Sequence, residues 1–137
     1  MKDYLERALA ASGALPHVTF VTPVPQPELA RRYQDAAVFV LPSLRDVYPN
    51  AVLEAMACGR AVVSTRAGGL PEVVEHDETG VLVPPHDEPA MADAIVSLLK
   101  HAPRREAMGA AGRKRVEREF SVDKMVNDTV AVYETRA

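Results

Sequence analysis

Two carboxylates flank one loop and mark the part of the chain whose residue types could do chemistry. Asp46 lies in a loop after an apolar run, and Glu54 follows eight positions later, one turn into a predicted helix. Pro49 and Asn50 stand at the helix start, where free backbone N–H groups and the helix dipole favour a phosphate. Carboxylates would repel phosphate, but they accept hydrogen bonds strongly from sugar or ribose hydroxyls. The spacing therefore predicts a ligand with both phosphate and sugar parts.

The elements that must position these residues alternate between strand and helix. Residues 37–41 form a continuous apolar run ended by Pro42, which predicts a strand buried on both faces, as in a parallel sheet. The chain also predicts strands at 17–22, 61–65 and 80–83, and helices at 3–12, from Pro27, at 50–58, 70–75, 88–100 and 103–119, and after a Ser121 cap. This alternation indicates an α/β fold, in which ligands bind beyond the carboxyl ends of the strands.

Composition narrows the class of protein. The 137 residues fit a single domain over 1–137, and 47% hydrophobic with 26% charged residues is typical of a globular protein. A net charge of −3 gives no electrostatic reason to expect nucleic acid or an anionic membrane as a partner. Cys58 is the one cysteine, so no internal disulfide can form, and a reducing, cytoplasmic compartment is the expectation. Neither a membrane-spanning run nor a signal peptide is evident.

Several motifs in a fixed order resemble one family. The hallmark of that family is two Glu separated by seven residues, within a run such as Pro-Ser-x-x-Glu-Gly-Phe-Pro-Asn, followed by Glu-Ala-Met-Ala-x-Gly. The matching segments are Pro42-Ser43, Pro49-Asn50, Glu54-Ala55-Met56-Ala57-Cys58-Gly59, Ala61-Val62-Val63-Ser64-Thr65, Gly68-Gly69-Leu70-Pro71-Glu72 and Glu78-Thr79-Gly80-Val81-Leu82-Val83. Over about residues 17 to 135 the chain resembles the retaining glycosyltransferases with two facing Rossmann-like domains, family four in the usual sequence classification.

The resemblance assigns roles to the loop residues. It implies a partial doubly wound parallel sheet with carboxy-terminal helices, which binds a nucleotide-diphosphate-sugar donor. Glu54 would hold the ribose hydroxyls, and Asp46 would hold donor-sugar hydroxyls near the reacting carbon. The donor-facing backbone would be that of Val47, Tyr48, Pro49, Asn50 and Ala51. The base would rest near residues 21–24. Neither a metal nor a cofactor is implied, because the helix dipole and cationic side chains would stabilise the leaving diphosphate.

Three departures from the family pattern affect these expectations. Asp46 stands where the family has Glu, and Val47 stands where it often has Gly. The strand, helix and strand that begin the family's donor domain, and the acceptor-binding domain before them, would lie upstream of Met1. The chain therefore resembles about two-thirds of a donor domain. We expect it to lack turnover alone, and we expect the sheet edge beside 37–41 to support self-association.

Other interpretations remain open at this point. Taken alone, Asp46 and Glu54 would be ordinary surface acids. The pair Gly68-Gly69 suits either a phosphate cradle or a turn that starts a helix. Cys58 suits a nucleophile or a small buried residue. The basic run at 113–115 suits an RNA or membrane contact, or a solvated helix face.

Two other functions are compatible with the sequence. The first is a non-catalytic nucleotide-binding or interaction module, which the departures at Asp46 and Val47 favour. The second is a nucleotide-sugar epimerase with the same two-domain architecture, which the ordered motifs disfavour. The histidines have no spacing that suggests a zinc site.

Overall fold

Three parallel strands form the sheet of the computed structural model, which describes residues 2–135. They are β1 (Val38–Leu41), β2 (Ala61–Thr65) and β3 (Gly80–Val83), in the order β1-β2-β3. Val38 lies opposite Ala61, and Val62 lies opposite Gly80. The helices are α1 (Lys2–Ala11), α2 (Gln26–Asp35), α3 (Asn50–Ala57), α4 (Leu70–Val73), α5 (Glu88–Lys100), α6 (Ala102–Glu119) and α7 (Val122–Glu134). The predicted α/β class with a parallel sheet is confirmed.

Helices pack on both faces of the sheet, because successive strand residues point to opposite sides. Val62 faces a core shared with α3, α4 and Leu82, and α3 contributes Val52 and Met56 to it. The next residue, Val63, faces a second core with α5 and Leu98. α6 crosses the amino ends of β2 and β3, so the carboxyl ends stay clear of it.

The predicted helix boundaries agree with the structure to within a few residues. Gly59, with φ of 71°, ends α3 in the left-handed region that glycine adopts without strain. The Ser121 side chain accepts a hydrogen bond from the Lys124 N–H at 3.3 Å, so the predicted cap of α7 is confirmed. Within residues 2–135, none of the helices combines the length and the apolar character that a membrane crossing requires.

The prediction of a strand at residues 17–22 is wrong. Leu15–His17 form a 3₁₀ turn, and residues 18–25 lie outside the sheet in irregular conformation. A strand exists only where a neighbour completes its backbone hydrogen bonds, and β1, β2 and β3 pair among themselves alone. The apolar pattern of this segment therefore leaves Val18 and Val21 exposed.

The prediction that residues 37–41 are buried on both faces is also wrong. β1 begins at Val38, and all four of its residues are only half-buried. β1 pairs with β2 on one side and has no strand on its other side within residues 2–135. An edge strand keeps one row of backbone groups and part of its side chains open to solvent.

Candidate functional site

The loop that leaves β1 is tied to the neighbouring strand at its start. Ser64, which is fully buried in β2, donates its hydroxyl hydrogen bond to the Leu41 carbonyl oxygen at 2.7 Å. The adjacent Thr65 hydroxyl donates to the Ser43 carbonyl oxygen. Both bonds leave from the carboxyl end of β2, so they set the direction in which the chain leaves the sheet toward Asp46.

Two glycines support the middle of this loop. The Gly69 N–H donates to the Asp46 carbonyl oxygen at 2.7 Å. A Cβ atom added at Gly68 would lie 2.0 Å from that same oxygen, and one at Gly69 would lie 2.5 Å from the Val47 carbonyl oxygen. Only residues without a Cβ allow the two backbones to approach this closely. The pair forms the turn before α4 and at the same time supports the loop, so its backbone surface is already occupied.

The side chains along the loop differ in exposure. Val47 is 86% exposed and Tyr48 is 62% exposed, whereas Pro49 is fully buried and anchors the end of the loop. Asp46 is half-buried, and its carboxylate has no hydrogen-bond partner within residues 2–135. An ionised carboxylate in this position keeps its full acceptor capacity for a ligand.

Fewer N–H groups are free at the start of α3 than the sequence predicts. The Asn50 N–H donates to the Tyr48 carbonyl oxygen at 2.9 Å. The N–H groups of Val52 and Leu53 both donate to the Pro49 carbonyl oxygen, at 3.0 and 3.2 Å. A tight local turn thus satisfies most donors of the first helical turn, because Pro49 supplies a well-placed carbonyl.

The free donors lie partly in the loop itself. In the part of the chain that the structure describes, the N–H groups of Val47, Tyr48 and Ala51 have no acceptor. All three belong to the segment 46–51 between the two acids. These groups provide backbone donors that a phosphate or sugar oxygen can accept from.

Glu54 points away from the loop, toward α2. Its Oε2 accepts a hydrogen bond from the Tyr33 hydroxyl at 3.1 Å, and its Oε1 accepts one from the Gln26 side-chain amide at 3.3 Å. The Tyr33 ring meets Phe39 of β1 edge-on, with ring centroids 5.5 Å apart. Burial, together with the neighbouring Glu54 carboxylate, raises the pKa of Tyr33 to about 12, so its hydroxyl remains a donor at neutral pH.

These partners of Glu54 are functional candidates that the sequence did not reveal. Tyr33 and Gln26 stand 21 and 28 positions before Glu54, and their contact with it requires α2 to pack on α3. The one available signal was that α2 follows residues 21–24, the segment assigned to the base. That segment leads directly into Gln26 at the start of α2. Asp46 and Glu54 share no hydrogen-bond partner within residues 2–135.

The other candidate residues have structural contacts. The Cys58 sulfur lies 4.0 Å from the Ala30 carbonyl oxygen and is half-buried between α3 and α2, in keeping with a packing role. Arg113 is solvated and paired with Glu117. The interpretation of 113–115 as a solvated face fails at Arg115, whose side chain is only 13% exposed because it reaches across to α4. Residues 2–135 contain no group of three or more metal-ligating side chains.

One cavity opens at the carboxyl ends of the strands and another opens beside the start of α3, and neither is lined by Asp46 or Glu54. One, of about 410 Å³, is largely apolar, with Leu44, Met91 and Ile95 among its lining residues. The other, of about 500 Å³, lies between the start of α3 and α7, beside Tyr48 and Asn50. The second cavity therefore touches the loop segment that carries the free backbone donors.

Known proteins resemble this chain in sequence and in fold. A family model described as glycosyl transferases group 1 matches residues 1–101. A D-inositol 3-phosphate glycosyltransferase from Salinispora tropica is 38% identical over 130 residues, which are 95% of this chain but 27% of that protein. The chain thus spans about a quarter of the length of this curated relative.

Solved structures of other proteins share the fold of this chain. Sucrose-phosphate synthase from Thermosynechococcus elongatus superposes with a TM-score of 0.89 at 34% identity, over 96% of this chain and 33% of that one. HepE from Anabaena, solved with UDP-glucose, superposes with a TM-score of 0.88 over 98% of this chain and 36% of that one. At 20% identity, the second likeness concerns the fold alone.

Proposed function

Because the chain belongs to the group 1 glycosyltransferases, we propose that it forms the donor-binding part of an enzyme that transfers a sugar from a nucleoside diphosphate to an acceptor. The observation that carries this proposal is Glu54, a carboxylate one turn into α3 that is held by α2, together with the preceding loop and its free backbone donors. Such a carboxylate suits a ribose diol, and such a loop suits a diphosphate and a sugar.

Each residue of the site has a distinct part in the proposal. Glu54 accepts hydrogen bonds from the ribose hydroxyls, and the unpartnered Asp46 carboxylate accepts them from the donor sugar. The backbone N–H groups of Val47, Tyr48 and Ala51 donate to the oxygens between them. The diphosphate leaves toward the start of α3, where the helix dipole stabilises its charge. Transfer then proceeds with retention of configuration, and no metal takes part.

The proposed reaction also requires a part of the enzyme that binds the acceptor. Since the chain spans about a quarter of its curated relative, we propose that a separate acceptor-binding domain faces the loop and completes the reaction site. We further propose that the protein works in the cytoplasm, where its one cysteine stays reduced. Nucleic acid has no part in this function, in line with the net charge of −3.

Two substitutions test the site. We expect Glu54→Gln to weaken UDP binding by about 10- to 100-fold, because it removes a charged hydrogen-bond acceptor for ribose, worth about 1.5–3 kcal/mol. Asp46→Asn should weaken UDP binding less, since UDP lacks the sugar that Asp46 contacts. Calorimetry with UDP and GDP measures both effects, and amide NMR shifts locate the ligand.

The control for this comparison is Glu78→Gln, which alters an exposed acid between α4 and β3. It should leave nucleotide affinity unchanged. Equal losses for Asp46→Asn and Glu54→Gln would contradict the assignment of roles. Shifts confined to residues far from 46–54, or no shifts at millimolar UDP, would contradict the site itself.

The open edge of β1 leads us to propose self-association of the isolated chain. Its outer backbone groups have no strand partner within residues 2–135, and its apolar side chains are half-buried. Such an edge can pair with a strand of another copy. We expect the weight-average mass in sedimentation to rise with protein concentration.

A second apolar surface provides the control for that measurement. α7 exposes Met125, Val130 and other apolar side chains, which could also bring copies together. Val130→Lys should leave association unchanged if β1 is responsible. A variant that becomes monomeric would assign the contact to α7, and a wild-type chain that stays monomeric at high concentration would refute the proposal.

A non-catalytic binding module is the second candidate function. The observation that favours it is Val47, whose branched and 86% exposed side chain stands in the loop proposed to face the sugar. Both functions include nucleotide binding, but only the first includes transfer of the donor sugar to an acceptor. Val47→Gly in the full-length enzyme should raise kcat if the valine obstructs transfer, and it should change nothing in a module that only binds.

A further inference from the structure

The Glu54 carboxylate is held on one side by two residues of α2. Each of its oxygens accepts one hydrogen bond, from Tyr33 at 3.1 Å and from Gln26 at 3.3 Å. The Tyr33 bond is the shorter and is partly buried, whereas the Gln26 bond is exposed to solvent. Water competes more effectively with an exposed bond, so Tyr33 is the principal restraint.

We propose that Tyr33 is a positioning residue, which holds the Glu54 carboxylate so that its remaining lone pairs face the ribose hydroxyls of the nucleotide. This inference rests on the proposed function, because it concerns the same ribose contact. It adds a residue on another helix, outside the loop and motif that carry the rest of the site.

The number of hydrogen bonds that the Glu54 carboxylate can accept supports this positioning role. An ionised carboxylate has about four lone-pair positions, and two are taken by Tyr33 and Gln26. The remaining two match the two O–H donors of a ribose 2′,3′-diol. A glutamate side chain that is free to rotate would have to be ordered when the nucleotide binds, and prior ordering by Tyr33 removes that cost.

The Tyr33 ring is itself fixed by the fold. Phe39 of β1 packs edge-on against it, with an angle of 72° between the ring planes. The phenol therefore connects the sheet to the carboxylate through one rigid contact and one hydrogen bond. Because its pKa is about 12, the hydroxyl stays protonated and remains a donor throughout the range in which enzymes usually work.

The test compares UDP with 2′,3′-dideoxy-UDP, which lacks both ribose hydroxyls. We expect wild type to prefer UDP. Tyr33→Phe keeps the ring but removes the hydrogen bond, and we expect it to lose about tenfold in UDP affinity. Its affinity for dideoxy-UDP should be unchanged, because positioning of Glu54 matters only when the diol is present.

Two further variants separate positioning from general damage. Tyr133→Phe removes a hydroxyl that is far more exposed, on α7, and should change neither affinity. In the Glu54→Gln background, Tyr33→Phe should cost no further UDP affinity, since its effect passes through Glu54. Absorbance titration at high pH provides a folding check, because Tyr33→Phe should abolish a late-ionising tyrosine while the thermal melt remains cooperative.

The outcomes distinguish this inference from the function on which it rests. Equal binding of UDP and dideoxy-UDP by the wild-type chain would contradict the ribose contact of Glu54, and with it the proposed site. If wild type discriminates and Tyr33→Phe discriminates equally well, the positioning role is overturned while the site survives. An equal loss of both ligands in Tyr33→Phe would also overturn it, because the tyrosine would then be purely structural.

Discussion

Gly109→Ala will destabilise the protein by about 2 kcal/mol. An added Cβ would lie 2.2 Å from the Gly59 carbonyl oxygen and 3.3 Å from the Ala61 nitrogen, so α6 would have to move off the start of β2. Overpacking typically costs about 1–3 kcal/mol, and the upper end applies here because the obstacle is backbone, which cannot rotate away. Alanine regains about 1 kcal/mol through its higher helix propensity. Urea denaturation monitored by circular dichroism gives the difference in the free energy of unfolding.

A second glycine of α6 provides the matched control. At Gly112 an added Cβ would meet the Thr79 carbonyl oxygen at 3.4 Å and Met56 side-chain atoms at 3.5 Å, which are ordinary contacts. Gly112→Ala should therefore be neutral or stabilising by up to about 1 kcal/mol. Equal destabilisation by the two substitutions would show that general crowding around α6, and not the approach to Gly59, decides the cost.

Arg115→Ala will destabilise the protein by about 2–3 kcal/mol. The guanidinium donates to the Glu72 and Val73 carbonyl oxygens, each at 3.0 Å, at the end of α4. It also pairs with Glu75 and lies 3.1 Å from Glu119. Removal of this largely buried guanidinium leaves the two carbonyl oxygens and the Glu75 carboxylate without the donor that they contact. The loss stays below that of a fully buried pair because Glu75 is 44% exposed and water can reach it.

The control for Arg115 lies one half-turn away on the same helix. Arg113→Ala removes an exposed pair with Glu117, in which both side chains are about 60% exposed, and should leave stability nearly unchanged. Arg115→Lys should recover only part of the loss, because one ammonium cannot match the fork of a guanidinium. Thermal and urea unfolding of the three variants measure this order, and an Arg113 effect as large as that of Arg115 would contradict it.

Local sequence pattern was sufficient to predict several helices and strands. β2 and β3, the helix ended by Gly59 and the cap at Ser121 were all predictable from neighbouring residues. The segment 17–22 has the same apolar character, yet it is not a strand, because no neighbouring strand adjoins it within residues 2–135. Pairing is a tertiary property that a single segment does not encode.

The site shows the same limit at the level of side chains. Asp46, Glu54 and the loop between them could be proposed from residue types at one strand end. The support from Gly68 and Gly69 could not, since it depends on a backbone approach across more than 20 positions. Nor could the hydrogen bond of Tyr33 to Glu54, which needs α2 docked on α3.

The contact between the glycine pair and the Asp46–Val47 backbone has a consequence for protein engineering. Backbone atoms, and not the side chains of the loop, fix the path of the loop past Gly68 and Gly69. Val47 and Tyr48, both largely exposed, can therefore be randomised together while the scaffold beneath them keeps its shape. Under the proposed function, a library at these two positions, with the glycines held constant, is a direct way to select for altered donor-sugar preference in a full-length enzyme of this type.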